Sequence, residues 1–107
     1  MSEPKACVVM VTAPNREEAE SLARAALEAR LAACVQLQPI TSLYWWDGRI
    51  ANDSEQLLLF KTAAARFPAL RDLILQRHSY DTVEIIQLPI MDGSEKYLAW
   101  IAQETRS

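Results

Sequence analysis

Residues that build metal centres and disulfide frameworks are scarce in this sequence. Among its 107 residues there is one histidine, His78, and there are two cysteines, Cys7 and Cys34. Two cysteines do not make a disulfide framework at this size, and no CxxC or Cys–His spacing supports a closed zinc site. A nucleophilic triad, a phosphate loop and a paired-carboxylate motif are also missing, so we predict a protein that is not an enzyme.

Clusters of one charge and long apolar runs are missing as well. The chain has 11 basic and 14 acidic residues, a net charge of -3, and no basic stripe that could follow a phosphate backbone. No apolar run approaches the ~20 residues of a membrane span, and the first residues do not have the pattern of a signal peptide. We therefore predict one domain, residues 1–107, in the cytoplasm and without nucleic-acid or membrane partners.

A long β-hairpin is the strongest structural signal that is present. Asp47-Gly48 is typical of a two-residue turn, because both residue types tolerate positive φ. The predicted arms are Ile40–Trp46 and Arg49–Thr62, and the second would span ~45 Å at ~3.3 Å per residue. The longest predicted helix is only ~25 Å, so the hairpin extends beyond the body and needs a partner surface. Its aromatic cluster is predicted to pack at the interface between copies: Tyr44, Trp45 and Trp46.

The remaining elements follow from hydrophobic periodicity and capping residues. In order, they are a strand at Ala6–Thr12, a helix capped by Asn15, a strand opening at Ala33–Leu37, a helix at Ala65–His78, a strand at Val83–Ile90 and a helix capped by Ser94. With the hairpin, this order predicts an α+β, ferredoxin-like (split βαβ) sandwich with a C-terminal helix. Pro39 is expected to lie at a sheet edge or in a bulge.

In this topology, strand 1 lies between strands 3 and 4. Cys7 and Cys34 would then be ~10 Å apart, beyond the ~7 Å limit for a disulfide, so we expect two free thiols. Strands 1, 3 and 4 are apolar on both sides, although two helices can cover only one face of the sheet. A homo-oligomer that packs sheet against sheet is therefore predicted.

Short motifs occur along nearly the whole chain in a specific order and spacing. They are Thr12-Ala13-Pro14, Arg30-Leu31-Ala32-Ala33-Cys34-Val35, Ser42 to Gly48, Lys61-Thr62, His78-Ser79-Tyr80 with Glu84, and Tyr97-Leu98-Ala99-Trp100. Together they resemble the CutA divalent-ion tolerance family. The resemblance implies a cytosolic, PII-like homotrimer of ferredoxin-like subunits, with hairpins that wrap neighbouring subunits. It also implies a link to copper and other divalent cations.

The resemblance further implies a site in the cleft between subunits. The polar positions of the family near this cleft fall on Trp46, Lys61, His78, Tyr80 and Glu84. His78 and Glu84 are expected to contact copper or another divalent cation, which is the only cofactor implied. Lys61 would balance charge, and the aromatic side chains of Trp46 and Tyr80 would shape the walls of the ligand cleft.

The chain departs from the family pattern near this site. Ser79 and Val83 stand where prolines are typical, so the loop is less rigid than the pattern suggests. Val11 and Arg77 stand at two of the three positions proposed as copper ligands in some members, and only His78 is retained.

The residues also leave other interpretations open. His78 could interact with the last carbonyls of its helix, and Glu84, read as part of an apolar strand, could form an ion pair with Lys61. Two alternative functions are a PII-like sensor of a small anion or nucleotide and a trimeric scaffold without its own ligand.

Overall fold

The computed structural model describes residues 3–106, which form a four-stranded antiparallel sheet and three α-helices. The elements are β1 (Ala6–Ala13), α1 (Arg16–Glu28), β2 (Cys34–Trp46), β3 (Arg49–Ala63), α2 (Phe67–Arg77), β4 (Ile85–Ile90) and α3 (Glu95–Glu104). This order confirms the predicted α+β, split βαβ fold with a long hairpin and a C-terminal helix. No helix in the range 3–106 is long and apolar enough to cross a membrane.

The strand order is β2-β3-β1-β4, so β1 lies between β3 and β4 as predicted. Cys7 of β1 pairs with Thr62, and Cys34 of β2 pairs with Lys61, which places β3 between the two cysteines. Both cysteines are free, which confirms the predicted thiols. Burial raises the pKa of the Cys7 thiol despite a hydrogen bond with Gln87, as expected for an unreactive core residue.

The hydrophobic core lies on one face of the sheet, beneath α1 and α2. Alternate residues of β1 point into it, and Cys7, Val9 and Val11 are all 0% exposed. Helix α1 starts at its predicted cap, where the Asn15 side chain accepts a hydrogen bond of 2.8 Å from the Glu18 amide. Ser94 is the N-cap residue of α3 as predicted, but its side chain makes no capping hydrogen bond. The facing core residues of β3, α1 and α2 include Leu58, Phe60, Leu22, Ala26, Leu70 and Ile74.

The second face of the sheet is only partly covered. Ile86 and Leu88 of β4 alternate with the helix-facing positions, and they are 45% and 44% exposed. At one end of this face, Ala6, Ala63 and Ile90 share a cavity of about 510 Å³ with α3 residues that include Leu98 and Ile101. The C-terminal helix α3 therefore covers one end, while the rest stays open in a single copy.

The hairpin extends well past the sheet, as predicted. β1 ends at Ala13, which faces Gln56, so Ile40–Trp46 and Arg49–Glu55 pair only with each other. We call these two segments and their turn the ribbon. At the turn, Asp47 and Gly48 have φ of 52° and 75°, the positive values that a type I′ turn requires.

Two predicted details need comment. Pro39 does not interrupt β2, which runs continuously from Cys34 to Trp46 and is an outer strand, so the edge position is confirmed. β4 begins at Ile85 rather than at Val83, and Glu84 is exposed just before it. The prediction that Glu84 lies within an apolar strand is therefore wrong. The pairing ends because the next carbonyl of β1, that of Thr12, bonds the ring of His78 instead.

Candidate functional site

His78 follows the last residue of α2, and its side chain is 0% exposed. Its Nε2 lies 2.7 Å from the carbonyl oxygen of Thr12, and its Nδ1 lies 3.0 Å from the backbone nitrogen of Tyr80. The Tyr80 amide can only donate, so Nδ1 accepts and Nε2–H donates to Thr12. Both ring nitrogens are thus used by the chain itself.

A carboxylate from α1 completes this buried network. Glu18 Oε2 accepts a hydrogen bond of 3.0 Å from the backbone amide of Ser79. It also lies 3.3 Å from His78 Nδ1, a contact that is an ion pair only if the ring is protonated. The network joins the end of β1, the first turn of α1 and the loop after α2. Metal ligation by His78 therefore stays a prediction, and it would require one of its two ring hydrogen bonds to break.

Tyr80 connects this network to the ribbon. Its ring centroid lies 4.7 Å from that of His78, and its hydroxyl donates a hydrogen bond of 2.8 Å to Glu55 Oε2. Glu55 is only 8% exposed, an unusual burial for a carboxylate. Burial and, next, the hydrogen bond to Glu55 hold the pKa of Tyr80 well above its ordinary value, because both disfavour a phenolate.

A second tyrosine–carboxylate pair lies further along the ribbon. The hydroxyl of Tyr44 donates to the carboxylate of Asp53, and this hydrogen bond is the main reason that the pKa of Tyr44 is raised. Register and alternation place Tyr44, Asp53 and Glu55 on one face of the ribbon. We call Tyr44, Asp53, Glu55 and Tyr80 the tyrosine–carboxylate cluster.

Asp53 and Glu55 are not among the site residues predicted from the sequence. The sequence does indicate their position, because the Asp47-Gly48 turn fixes the register of the hairpin. Counting outward from the turn along both arms places Asp53 and Glu55 on the same face as Tyr44.

Lys61 does not form the ion pair considered for it. Among the described residues its Nζ contacts the side-chain amide oxygen of Gln36, and no ion pair joins it to Glu84. Lys61 lies six residues from Glu55 along β3, a distance of ~20 Å at ~3.3 Å per residue. It is therefore remote from the tyrosine–carboxylate cluster of the same copy.

Trp46 lies at the opposite end of the hairpin. It pairs with Arg49, which is twelve residues before Lys61 on β3, so Trp46 and Lys61 are ~40 Å apart along an extended strand. The longest dimension of the whole molecule is 43 Å. Of the five predicted cleft residues, one copy brings His78 and Tyr80 into contact and keeps Trp46 and Lys61 at opposite ends.

The three predicted interface aromatics do not share one face. Trp45 pairs with Ile50 on the face opposite Tyr44 and Trp46, and these two residues are 73% and 63% exposed. Leu43, which is 67% exposed, extends the same apolar surface. Tyr44 and Trp46 are 38% and 59% exposed on the other face, beside the carboxylates. One face of the ribbon is thus apolar near the turn, with Thr41, Asn52 and Ser54 towards its base, and the other face is mixed along its length.

Within residues 3–106, no group of three or more His, Cys, Asp or Glu side chains is arranged to hold a metal ion.

Comparison with known proteins identifies the family. A profile described as CutA1 divalent ion tolerance protein matches residues 7–104. The chain belongs to this family. Its relatives include human Protein CutA, 48% identical over 98 residues, and the divalent-cation tolerance protein CutA of Thermus thermophilus, 43% identical over 99 residues. These alignments cover 91% and 92% of this chain, but 55% of the human protein and 96% of the bacterial one, so the chain spans about half of the human relative's length.

Solved structures of the CutA1 family share the fold. CutA1 from Oryza sativa superposes with a TM-score of 0.93 at 42% identity, and covers 97% of this chain and 96% of its own. The protein from Archaeoglobus fulgidus, named a periplasmic divalent cation tolerance protein, gives a TM-score of 0.93 at 39% identity over 94% of this chain and 99% of its own.

Proposed function

We propose that this CutA1 family member is a homotrimeric divalent-cation tolerance protein, not an enzyme, that binds copper or another divalent cation in clefts between its copies. The separation of Trp46 from Lys61 by ~40 Å supports this proposal most directly. A cleft that contains both residues has to take one from the tip of a neighbour's hairpin and the other from its own sheet.

The exposed apolar surface supports assembly independently. An isolated two-stranded ribbon is at best marginally stable in water, and this one carries exposed Leu43, Trp45 and Ile50 on a single face. Ile86 and Leu88 leave a second apolar surface on the sheet. Packing of ribbons and open sheet faces in a closed trimer would bury both surfaces.

His78 and Glu84 are the proposed cation ligands, and Trp46, Lys61 and Tyr80 the other cleft residues. Glu84 is exposed, and carboxylate oxygens are suited to hard divalent ions. The imidazole of His78 is a ligand type that suits copper and zinc. His78 could ligate only after giving up its bond to Thr12 or to the Tyr80 amide.

Isothermal titration with copper(I), copper(II) and zinc tests the cation site. Ligation predicts an affinity loss of at least about tenfold in both His78→Ala and Glu84→Ala, since each removes one ligand. Asp92→Ala, an exposed acid away from His78, is the matched control. Unchanged copper affinity in His78→Ala would contradict the ligand assignment.

A trimeric scaffold without its own ligand is the second candidate. The observation that favours it is the use of both His78 nitrogens within the chain. A thermal-shift screen separates the two functions, because a ligand that binds only the folded protein raises its melting temperature. Shifts with metal ions support cation binding, and shifts with neither metals nor nucleotides support the scaffold.

The proposed location is the cytoplasm. The thiol of Cys34 is free and partly exposed, and a reducing compartment would protect such a thiol from oxidation. The name of the Archaeoglobus fulgidus relative makes the periplasm the competing location. Cell fractionation with compartment markers distinguishes them.

A further inference from the structure

The ribbon has very few attachments to the rest of the molecule. β1 ends opposite Gln56, and beyond this point the strands pair only with each other. In the described chain, residues 3–106, the hydrogen bond from Tyr80 to Glu55 is the one that joins the ribbon to another part of the fold. Apart from the continuation of β2 and β3 from the sheet, this contact is therefore what orients the ribbon on the body.

The Tyr80 side of this contact is itself firmly anchored. The Tyr80 amide donates to His78 Nδ1 at 3.0 Å, and the preceding amide of Ser79 donates to Glu18 at 3.0 Å. His78 in turn bonds the end of β1 through Thr12. Tyr80 therefore extends from a fixed loop to the base of the ribbon, as a strut would.

The other face of the ribbon base is held more weakly. There the side-chain oxygen of Gln56 accepts a hydrogen bond of 3.5 Å from Arg16 of α1. An open cavity of about 320 Å³ lies beside the base and is bordered by residues of both faces, including Ile40, Thr41 and Glu55. The hydrogen bond from Tyr80 is therefore the shorter of the two that hold the base, and the cavity leaves the base room to move.

We propose that Tyr80 is a positioning residue that sets the angle of the ribbon through its hydroxyl bond to Glu55. Loss of the hydroxyl lets the base of the ribbon move toward the cavity, while the body of the sheet keeps its packing. This role of Tyr80 does not depend on which ion the protein binds. Its effect on the position of Trp46 against a neighbouring copy rests on the proposed trimer.

Hydrogen–deuterium exchange on the intact protein tests this inference. In Tyr80→Phe, which keeps the ring against His78, amides of the ribbon are expected to exchange about threefold to tenfold faster. Amides of β1 and β4 are expected to keep their wild-type rates. Tyr97→Phe is the matched control, because Tyr97 lies on α3, its hydroxyl contacts Cys34 of β2, and its loss should leave the ribbon unchanged.

A double-mutant cycle tests whether the contact is direct. Glu55→Ala should accelerate ribbon exchange, and adding Tyr80→Phe should change it little further. Glu55→Ala also addresses the same bond if Tyr80→Phe does not fold. Unchanged ribbon exchange in Tyr80→Phe, an equal rise in β1 and β4, or fully additive effects would overturn the proposal. Size-exclusion chromatography reports separately on the trimer, so a failure of assembly is distinguishable from a failure of the strut.

Discussion

The two halves of strand β3 differ in their partners and in their burial. From Gln56 to Lys61 the strand is flanked by β1 and β2, and Leu58 and Phe60 are fully buried. From Arg49 to Glu55 it pairs with β2 alone, and Ile50 is 63% exposed. Residues of similar hydrophobicity are buried in one half of the strand and exposed to solvent in the other.

This difference shows that one neighbouring strand is enough to keep β3 extended, while burial of its side chains requires more. β2 runs beside β3 to the turn, but within residues 3–106 no strand pairs with the other edge of β3 before Gln56. Burial differs because the helices end before the ribbon begins. The apolar side chains of the ribbon are therefore left uncovered in a single copy.

Truncation of the buried half should have the largest effect. Phe60→Ala removes a fully buried ring and leaves a cavity, so we expect a loss of about 3–5 kcal/mol in the free energy of unfolding. Urea denaturation measures this loss. Leu75→Ala, at an exposed position of α2, is the control, and the prediction fails if it costs as much as Phe60→Ala.

Truncation of the ribbon should reveal whether a neighbour covers it. Trp46 is 59% exposed in one copy, where its removal would cost little. If it packs on a neighbour, Trp46→Ala is expected to lower the stability of the trimer by about 3 kcal/mol. Melting curves and size-exclusion chromatography test this, with Trp45→Ala reporting on the other face. An intact and equally stable trimer would contradict the packing.

Removal of His78 should weaken the anchor of the ribbon in the body. His78→Ala leaves the carbonyl of Thr12 and the amide of Tyr80 without their partner, so we expect a loss of about 2 kcal/mol. Urea denaturation gives the total, and hydrogen exchange in the loop after α2 gives the local effect. Wild-type stability in His78→Ala would mean that these bonds do not hold the loop.

Alkaline pH should produce the smallest effect. The pKa of Tyr80 is raised in the folded protein, chiefly by burial, so its stabilising contribution is complete below the ordinary tyrosine pKa of about 10. The contribution declines as the pH rises above that value, because the unfolded chain then loses the proton more readily. Urea midpoints between about pH 8 and pH 11 should fall more steeply for wild type than for Tyr80→Phe. Parallel curves would argue against this coupling.

The sequence predicted the fold well because its signals are local. Asp47-Gly48 fixes the turn, Asn15 caps α1, and alternating residues such as Val9 and Val11 identify a buried strand. β4 was predicted too long because apolar character alone cannot show that His78 would take the carbonyl of Thr12.

The site was harder to predict because it depends on contacts between distant segments. Glu55 and Tyr80 are 25 positions apart, and nothing near either residue indicates that they bond. The family resemblance grouped Trp46 with Lys61, although one copy holds them at opposite ends of a strand. Their meeting is a property of an assembly, and this part of the prediction remains to be tested.

The two outer strands of the sheet share a feature with a wider consequence. β2 and β4 each contain one proline, Pro39 and Pro89. Proline has no backbone N–H, so a proline in an outer strand removes one donor from the free edge of the sheet. Neither edge therefore offers a continuous row of backbone donors to another chain. Edge-to-edge pairing of copies into fibres is therefore disfavoured along both β2 and β4.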